Sequence, residues 1–245
     1  MAEAIFRFYA ELNDFLPPER RFTDFPHQFL DIATVKDRIE SFGVPHTEVD
    51  LILVNGESVD FQYRVRDGDR ISVYPVFEGV DIAGVTRLRP EPLRDPRFVL
   101  DTHLGKLAAY LRMMGFDTLY RSCYADEQLA EASHSEHRIL LTRDVGLLKR
   151  GAVTHGYFVR QTNSREQIAE IVRRFDLARL ARPFTRCMRC NGVLVEASKD
   201  EIRRQLPPRI AELHDEFRRC PECGRVYWKG GHYRRMRELV ERLSQ

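Results

Sequence analysis

Arg138-Ile139-Leu140-Leu141-Thr142-Arg143-Asp144 is the stretch on which the fold turns. Ile139 to Thr142 form a short apolar run without polar alternation, the pattern of a strand buried on both faces, and an acid follows it. Phe98-Val99-Leu100 repeats the pattern and ends on Asp101. Between the two runs, Leu104, Leu107, Ala108 and Leu111 recur at helical spacing up to Gly115, Phe116–Tyr120 predicts a strand, and Asp126–His137 a helix. Beyond them, Val145–Arg150 predicts a short helix and Tyr157-Phe158-Val159 a strand. Ser164 with Gln167 then reads as a capping box before Ile168, Ile171, Val172 and Phe175. Strands alternating with helices predict an α/β domain built on a parallel sheet covered on both faces.

The acids fall where such a sheet binds ligands. In an open parallel sheet, ligands sit beyond the carboxyl ends of the strands, so Asp101, Asp144 and Asp126, which opens the helix between them, are candidates to converge. Three clustered carboxylates repel one another, and a divalent cation relieves that cost; oxygen-only ligation with room for water suits Mg²⁺ or Mn²⁺. Asp is also a favoured helix N-cap, so each residue equally reads as a cap. Asp117, after Gly115-Phe116, is a weaker candidate or a turn residue. Lys106, Arg143, Lys149 and Arg150 lie near the same strand ends as candidate phosphate contacts, or as a solvated basic face. His103, His134 and His137 carry no assignment, and the lone Cys123 reads as a small core residue.

Downstream, Cys187-Met188-Arg189-Cys190 and Cys220-Pro221-Glu222-Cys223 are two C-x-x-C pairs 29 residues apart. Two such knuckles complete a tetrahedral Cys₄ site for Zn²⁺, and four protein ligands leave no position for substrate, so the metal is expected to be structural. Ser198 with Glu201 forms a capping box before Pro207-Pro208 breaks the helix, and Met236, Leu239, Val240 and Leu243 form the apolar stripe of a final helix. Trp228 and Tyr233 interleave with basic residues, either to stack nucleobases or to pack the small domain.

Upstream, Ala4–Ala10 alternates as a strand, Thr34–Phe42 predicts a helix stopped by Gly43, and Asn55-Gly56 is a tight-turn signal after Leu51-Ile52-Leu53-Val54. Asp67-Gly68-Asp69 then leads into the strand Ile71–Tyr74. The order strand, strand, helix, strand, strand resembles a β-grasp, ubiquitin-like domain of the sulfur-carrier type, most closely in Val54-Asn55-Gly56-Glu57 and Asp67–Pro75. Carriers act through a free terminal Gly-Gly, whereas this segment ends Phe77-Glu78-Gly79-Val80 and runs on, so it reads as a packing or interaction module.

Over the 245 residues, 43% are hydrophobic and 31% charged, which excludes generic disorder. No apolar run reaches 18 residues, and five unevenly spaced cysteines do not make a disulfide scaffold, so a cytoplasmic location is expected. Residues 1–80 carry 8 Lys/Arg against 15 Asp/Glu, residues 81–182 carry 17 against 13, and residues 183–245 carry 14 against 9. An acidic head thus precedes a basic body, the footprint of a polyanion binder or of solvated surface. Those opposite charges predict that the head docks on the body or binds a basic partner, and that its removal leaves the rest folded.

Phe98–Asp101, Gly105–Ala108, Leu111–Thr118, Asp126–Ala130 and Arg138–Asp144 together resemble the PIN-like ribonucleases of the Mut-seven C-terminal family, which often carry a ubiquitin-like head and continue into a zinc ribbon. The resemblance implies a β-grasp domain at 1–80, a linker at 81–96, a PIN-like nuclease domain at 97–182 and a zinc ribbon with a C-terminal helix at 183–245. It implies a metal-dependent ribonuclease with Mg or Mn on Asp101, Asp126 and Asp144, Glu127 being an alternative second acid, and RNA as partner, with tRNA or ribosome-associated RNA among the candidates. No membrane partner is expected, and the partner of the acidic head is open. The rival reading is a non-catalytic RNA- or ribosome-binding adaptor that works through the ribbon.

Overall fold

The computed structural model describes residues 1–75, 86–88 and 96–243, so most of the linker expected at 81–96 lies outside the described residues. The head contains β1 (Ala2–Phe8), β2 (Phe25–Phe29), α1 (Val35–Ser41), β3 (Val49–Val54), β4 (Glu57–Ser58) and β5 (Arg70–Pro75). There follow β6 (Phe98–Leu100), α2 (Gly105–Met113), β7 (Thr118–Tyr120), α3 (Asp126–Ser135), β8 (Ile139–Thr142), α4 (Val145–Leu148), β9 (Gly156–Phe158) and α5 (Ser164–Arg174). The C-terminal part adds β10 (Val195–Ala197), α6 (Lys199–Ile202), α7 (Pro208–Leu213), β11 (Phe217–Arg219), β12 (Val226–Trp228) and α8 (Gly231–Leu243). The chain forms two compact units, Met1–Asp95 with Asp126–Phe158, and Pro96–Ala125 with Val159–Gln245.

In the first unit the head is a five-stranded sheet of order β2-β1-β5-β3-β4, with β1 and β5 parallel and the other pairs antiparallel. Alternation in β1 buries Ala4, Phe6 and Phe8 against Val35 and Ile39 of α1, whose start is fixed by a reciprocal Thr34–Asp37 capping box. Asn55 and Gly56 both take positive φ, 52° and 90°, as the two-residue turn joining β3 to β4 requires. The first strand ends at Phe8 rather than Ala10, because Ala10 itself turns to positive φ and opens a short 3₁₀ segment.

The same unit holds α3, β8, α4 and β9. All four residues of β8 are buried, as its unbroken apolar run demands, and β8 pairs in parallel with β9 from Leu140↔Gly156 to Thr142↔Phe158. The head packs directly onto this segment. Glu48, fully buried, accepts a hydrogen bond from the Phe158 amide, and His46 bridges the Val153 carbonyl (2.9 Å) and the Glu40 carboxylate (2.6 Å). Phe15 meets Phe158 edge-on with ring centroids 5.5 Å apart. The expected docking is therefore present, but it is made by buried, bonded groups rather than by surface charge. Removing the head would take from the Phe158 amide its Glu48 acceptor, so the expectation that the rest folds alone meets a buried seam rather than a surface contact.

In the second unit β6 and β7 pair in parallel, Phe98↔Thr118 to Leu100↔Tyr120, and α2 packs against α5. The predicted stripes are the buried ones: Leu107, Ala108 and Leu111 on α2, and Ile168, Ile171 and Val172 on α5. The cap of α5 is Asn163 rather than Ser164, since the Asn163 carboxamide accepts from the Arg165 amide (2.9 Å) while Gln167 reaches back to the Gln161 carbonyl. In the C-terminal part, β10, β11 and β12 form an antiparallel sheet over a small core of Ile202, Leu206 and Phe217. Ser198 and Glu201 form the expected capping box, but Pro208 opens α7 instead of only ending a helix, as a proline in the first turn can. Among the described residues no helix is long and apolar enough to cross a membrane.

Candidate functional site

Each C-x-x-C pair sits on a knuckle of the same build. The Cys187 amide bonds to the Gly192 carbonyl and the Asn191 amide returns to the Cys187 carbonyl; Cys220, Arg225 and Gly224 repeat the pattern. The residue after each second cysteine, Asn191 or Gly224, carries the positive φ (75° and 73°) that closes the loop. The two knuckles face one another with Cys187 Sγ 3.6 Å from Cys223 Sγ and Cys190 Sγ 3.3 Å from Cys220 Sγ, and all four sulfurs lie within 4.8 Å. Four ligands at about 2.3 Å from a tetrahedral Zn²⁺ stand roughly 3.8 Å apart, so this cage fits zinc.

The electrostatics single out Cys187 as the thiol that ionises most readily. Burial pushes the Cys190 and Cys220 thiols up. Cys187 is also penalised by burial, yet the Tyr227 hydroxyl 3.1 Å away and the Cys190 and Arg189 amides draw it down to about 6. Burial and the neighbouring Cys187 push the Tyr227 hydroxyl up in turn. Cys187 and Cys220 are buried and the other two half-buried, a closed site without a coordination position for substrate.

The first knuckle is tied to the α/β core by residues that the sequence reading passed over. The buried Arg112 of α2 donates through Nε to the Thr118 carbonyl (2.9 Å) and through one terminal nitrogen to the carbonyls of Arg189 (2.9 Å) and Met188 (3.3 Å), inside the knuckle. Asn191 accepts from the Thr118 amide (2.9 Å) and donates to Asp117 (2.8 Å), which also faces Arg186 at 3.5 Å. Asp117, a weak metal candidate, is thereby a structural partner of the knuckle. Gly115, at φ 96°, lets the backbone of Arg182 pass so close that a Cβ would stand 2.2 Å from its carbonyl oxygen. An arginine inside an apolar helical stripe was the available signal, since it needs acceptors if buried.

The carboxylates hold the strand-end positions expected of them. Asp101 directly follows β6 and caps the next turn, accepting from the Thr102 amide and hydroxyl. Asp144 follows β8 and caps α4, accepting from the amides of Gly146 (2.7 Å) and Leu147 (3.3 Å). Asp126 opens α3 and, with Glu127, meets Arg150 at 3.4 and 3.0 Å. Among the described residues, the Cys quartet is the one group of three or more His, Cys, Asp or Glu side chains placed to hold a metal ion. Of the candidate phosphate contacts, Lys106 is exposed, Arg143 lies over the Phe158 ring, Lys149 donates to the Glu40 carbonyl of the head (2.6 Å), and Arg150 is engaged by the two acids. Cys123 is exposed, not a core residue, and His103, His134 and His137 are exposed as well.

A further feature is a cleft of about 490 Å³ in the C-terminal part, lined by Phe184, Trp228 and Tyr233 and by Arg186, Arg218 and Lys229 among others. Trp228 lines it while also packing on the Ile202, Leu206 and Phe217 core, so both readings of that residue describe part of its surface.

Residues 96–240 match the profile described as the Mut7-C RNAse domain, and residues 1–81 match the Mut7-C ubiquitin profile. Comparisons with curated proteins and with solved structures return no match. The first profile spans more than half of the 245 residues, its stretch takes in both parallel strand pairs and the Cys₄ cage, and the second covers the five-stranded head; the chain belongs to the Mut7-C RNase family.

Proposed function

We propose that the protein is a metal-dependent ribonuclease acting in the cytoplasm, hydrolysing RNA phosphodiesters with Mg²⁺ or Mn²⁺ held by Asp101, Asp126 and Asp144, while the Cys₄ site binds a structural zinc. Membership of the family over residues 96–240 carries the reading, and the acids just beyond the ends of β6 and β8 support it. When bound, the catalytic cation lowers the pKa of a water and neutralises charge growing on the phosphate. The chain's own part is to place the carboxylates, with Lys106, Arg143, Lys149 and Arg150 holding flanking phosphates. Arg150, now paired with Asp126 and Glu127, would give up those partners as a cation enters.

The rival is a non-catalytic RNA-binding adaptor, favoured by one observation: Asp101 and Asp144 are helix caps, and the Cys quartet alone is gathered for metal among the described residues. Incubation of the full chain with single-stranded and structured RNA plus Mn²⁺ separates the two. Cleavage by the wild type that is lost in the Asp101→Asn, Asp126→Asn and Asp144→Asn variants supports the ribonuclease. Binding without cleavage, or cleavage that persists in all three variants, sinks the metal mechanism.

A further inference from the structure

We infer that the cleft beside the zinc knuckles is a subsite for one unstacked nucleotide of single-stranded RNA, an inference that rests on the RNA-directed reading above. Its volume of about 490 Å³ lies within the roughly 300–1,000 Å³ of small-molecule sites. Its lining combines aromatic faces and cations. Trp228 and Tyr233 present rings on which any base can stack, and the Phe184 ring stands 4.6 Å from that of Tyr233, tilted by 46°.

The cations are positioned but not exhausted. Arg218 spends one nitrogen on the Phe184 carbonyl (2.9 Å), while a guanidinium carries five N–H donors. Among the described residues Lys229 pairs with the exposed Glu216, and an exposed ion pair is weak enough to be exchanged for a phosphate. Of the acids on the rim, Asp215 is held by Lys199 at 3.0 Å and Glu196 lies opposite Arg218 in the β10–β11 register, while Glu216 is the acid that a phosphate on Lys229 would displace. With 14 basic against 9 acidic residues over 183–245, the surroundings favour a polyanion over an acidic wall. The closed zinc cage and this cleft then divide the labour: the metal holds the platform, and the aromatic residues take the base.

Trp228 is the only tryptophan, so its fluorescence reports the site directly. The zinc-loaded full chain is titrated, in buffer free of added divalent cations, with an eight-nucleotide oligocytidylate, an abasic oligomer of equal charge, inorganic phosphate and a polyglutamate peptide. The expected result is a saturable quench by the RNA alone. Tyr233→Ala, checked for full zinc content, should weaken binding about tenfold, Tyr233→Phe should restore it, and Lys229→Gln should reduce the salt slope by about one. No quench by RNA, an equal quench by the abasic oligomer or by phosphate, or unchanged affinity in Tyr233→Ala would overturn the subsite, and displacement by polyglutamate would assign the cleft to a protein partner. RNA cleaved by a protein that shows no quench refutes the cleft and leaves the ribonuclease standing; a quench without cleavage does the reverse.

Discussion

Replacing Arg112 by Met tests whether the zinc knuckle is held by the α/β core or only by its metal. Met keeps most of the aliphatic stem but leaves the carbonyls of Thr118 and Arg189, each bonded at 2.9 Å, without their donor. Hydrogen bonds to a charged group contribute about 1.5–3 kcal/mol each, so the two well-formed bonds give a gross loss of roughly 3–6 kcal/mol. Removing the guanidinium also removes the cost of burying it, which offsets about half of that loss. A net destabilisation of about 2–3 kcal/mol is expected, or roughly 4–12 °C in Tm for a chain of this size. Arg112→Lys should recover only part of it, because one ammonium cannot span carbonyls on both sides of the fork. Thermal melts followed together with zinc release to a colorimetric chelator provide the assay. The variant should lose zinc faster than the wild type at temperatures where both are folded. A Tm within 1 °C of wild type and an unchanged release rate would refute the reasoning, since the knuckle would then stand without its clamp.

Metal analysis of protein purified without chelator should find one zinc per chain, and Cys220→Ser or chelation should loosen residues 183–243 before the head melts, as read by hydrogen exchange; exchange that begins in the head would contradict this. Glu48→Ala should cost about 1–3 kcal/mol in a denaturant melt by removing the buried carboxylate that accepts from the half-buried Phe158 amide, and the chain beginning at residue 81 should be markedly less stable than the full chain; equal midpoints would show that the head is dispensable. Gly115→Ala should destabilise strongly, since both its φ of 96° and the 2.2 Å approach to the Arg182 carbonyl oxygen exclude a side chain, and near-native stability would mean that the 182–185 crossing relaxes freely.

Patterns with a fixed period or spacing were legible in the sequence. The unbroken apolar run at 139–142, the stripe on α2, the Asn55-Gly56 turn and the two C-x-x-C pairs each specify local geometry through residues a few positions apart. Contacts between distant residues were not legible, because nothing local announces them. Asn191 looks like a loop residue until its position in the knuckle puts its carboxamide against Thr118 and Asp117. Glu48 and His46 look like surface residues of an acidic head, yet they are buried at 0% and 7% exposure by the segment around Val153 and Phe158, more than 100 residues on. Helix ends were misplaced by one residue where two capping side chains competed, as Asn163 and Ser164 do.

Capping a helix and binding a cation, the two readings that the sequence posed for each strand-end Asp, are not mutually exclusive for a carboxylate. A carboxylate has two oxygens, and in Asp144 both amide bonds of the cap, from Gly146 and Leu147, fall on Oδ1. The other oxygen takes no part in the cap. In Asp101 the bonds from the Thr102 amide and hydroxyl likewise converge on Oδ1. A cap that fixes one oxygen fixes the direction of the other, which is the service that outer hydrogen bonds perform for ligating carboxylates elsewhere. Asn at either position keeps an Oδ1 acceptor for the cap and replaces the second oxygen by an amide that cannot bind a cation. Stability and divalent binding are thus separable by experiment at these residues: an Asn variant that keeps the wild-type Tm but loses Mn²⁺ binding marks a ligand, and one that keeps both marks a cap.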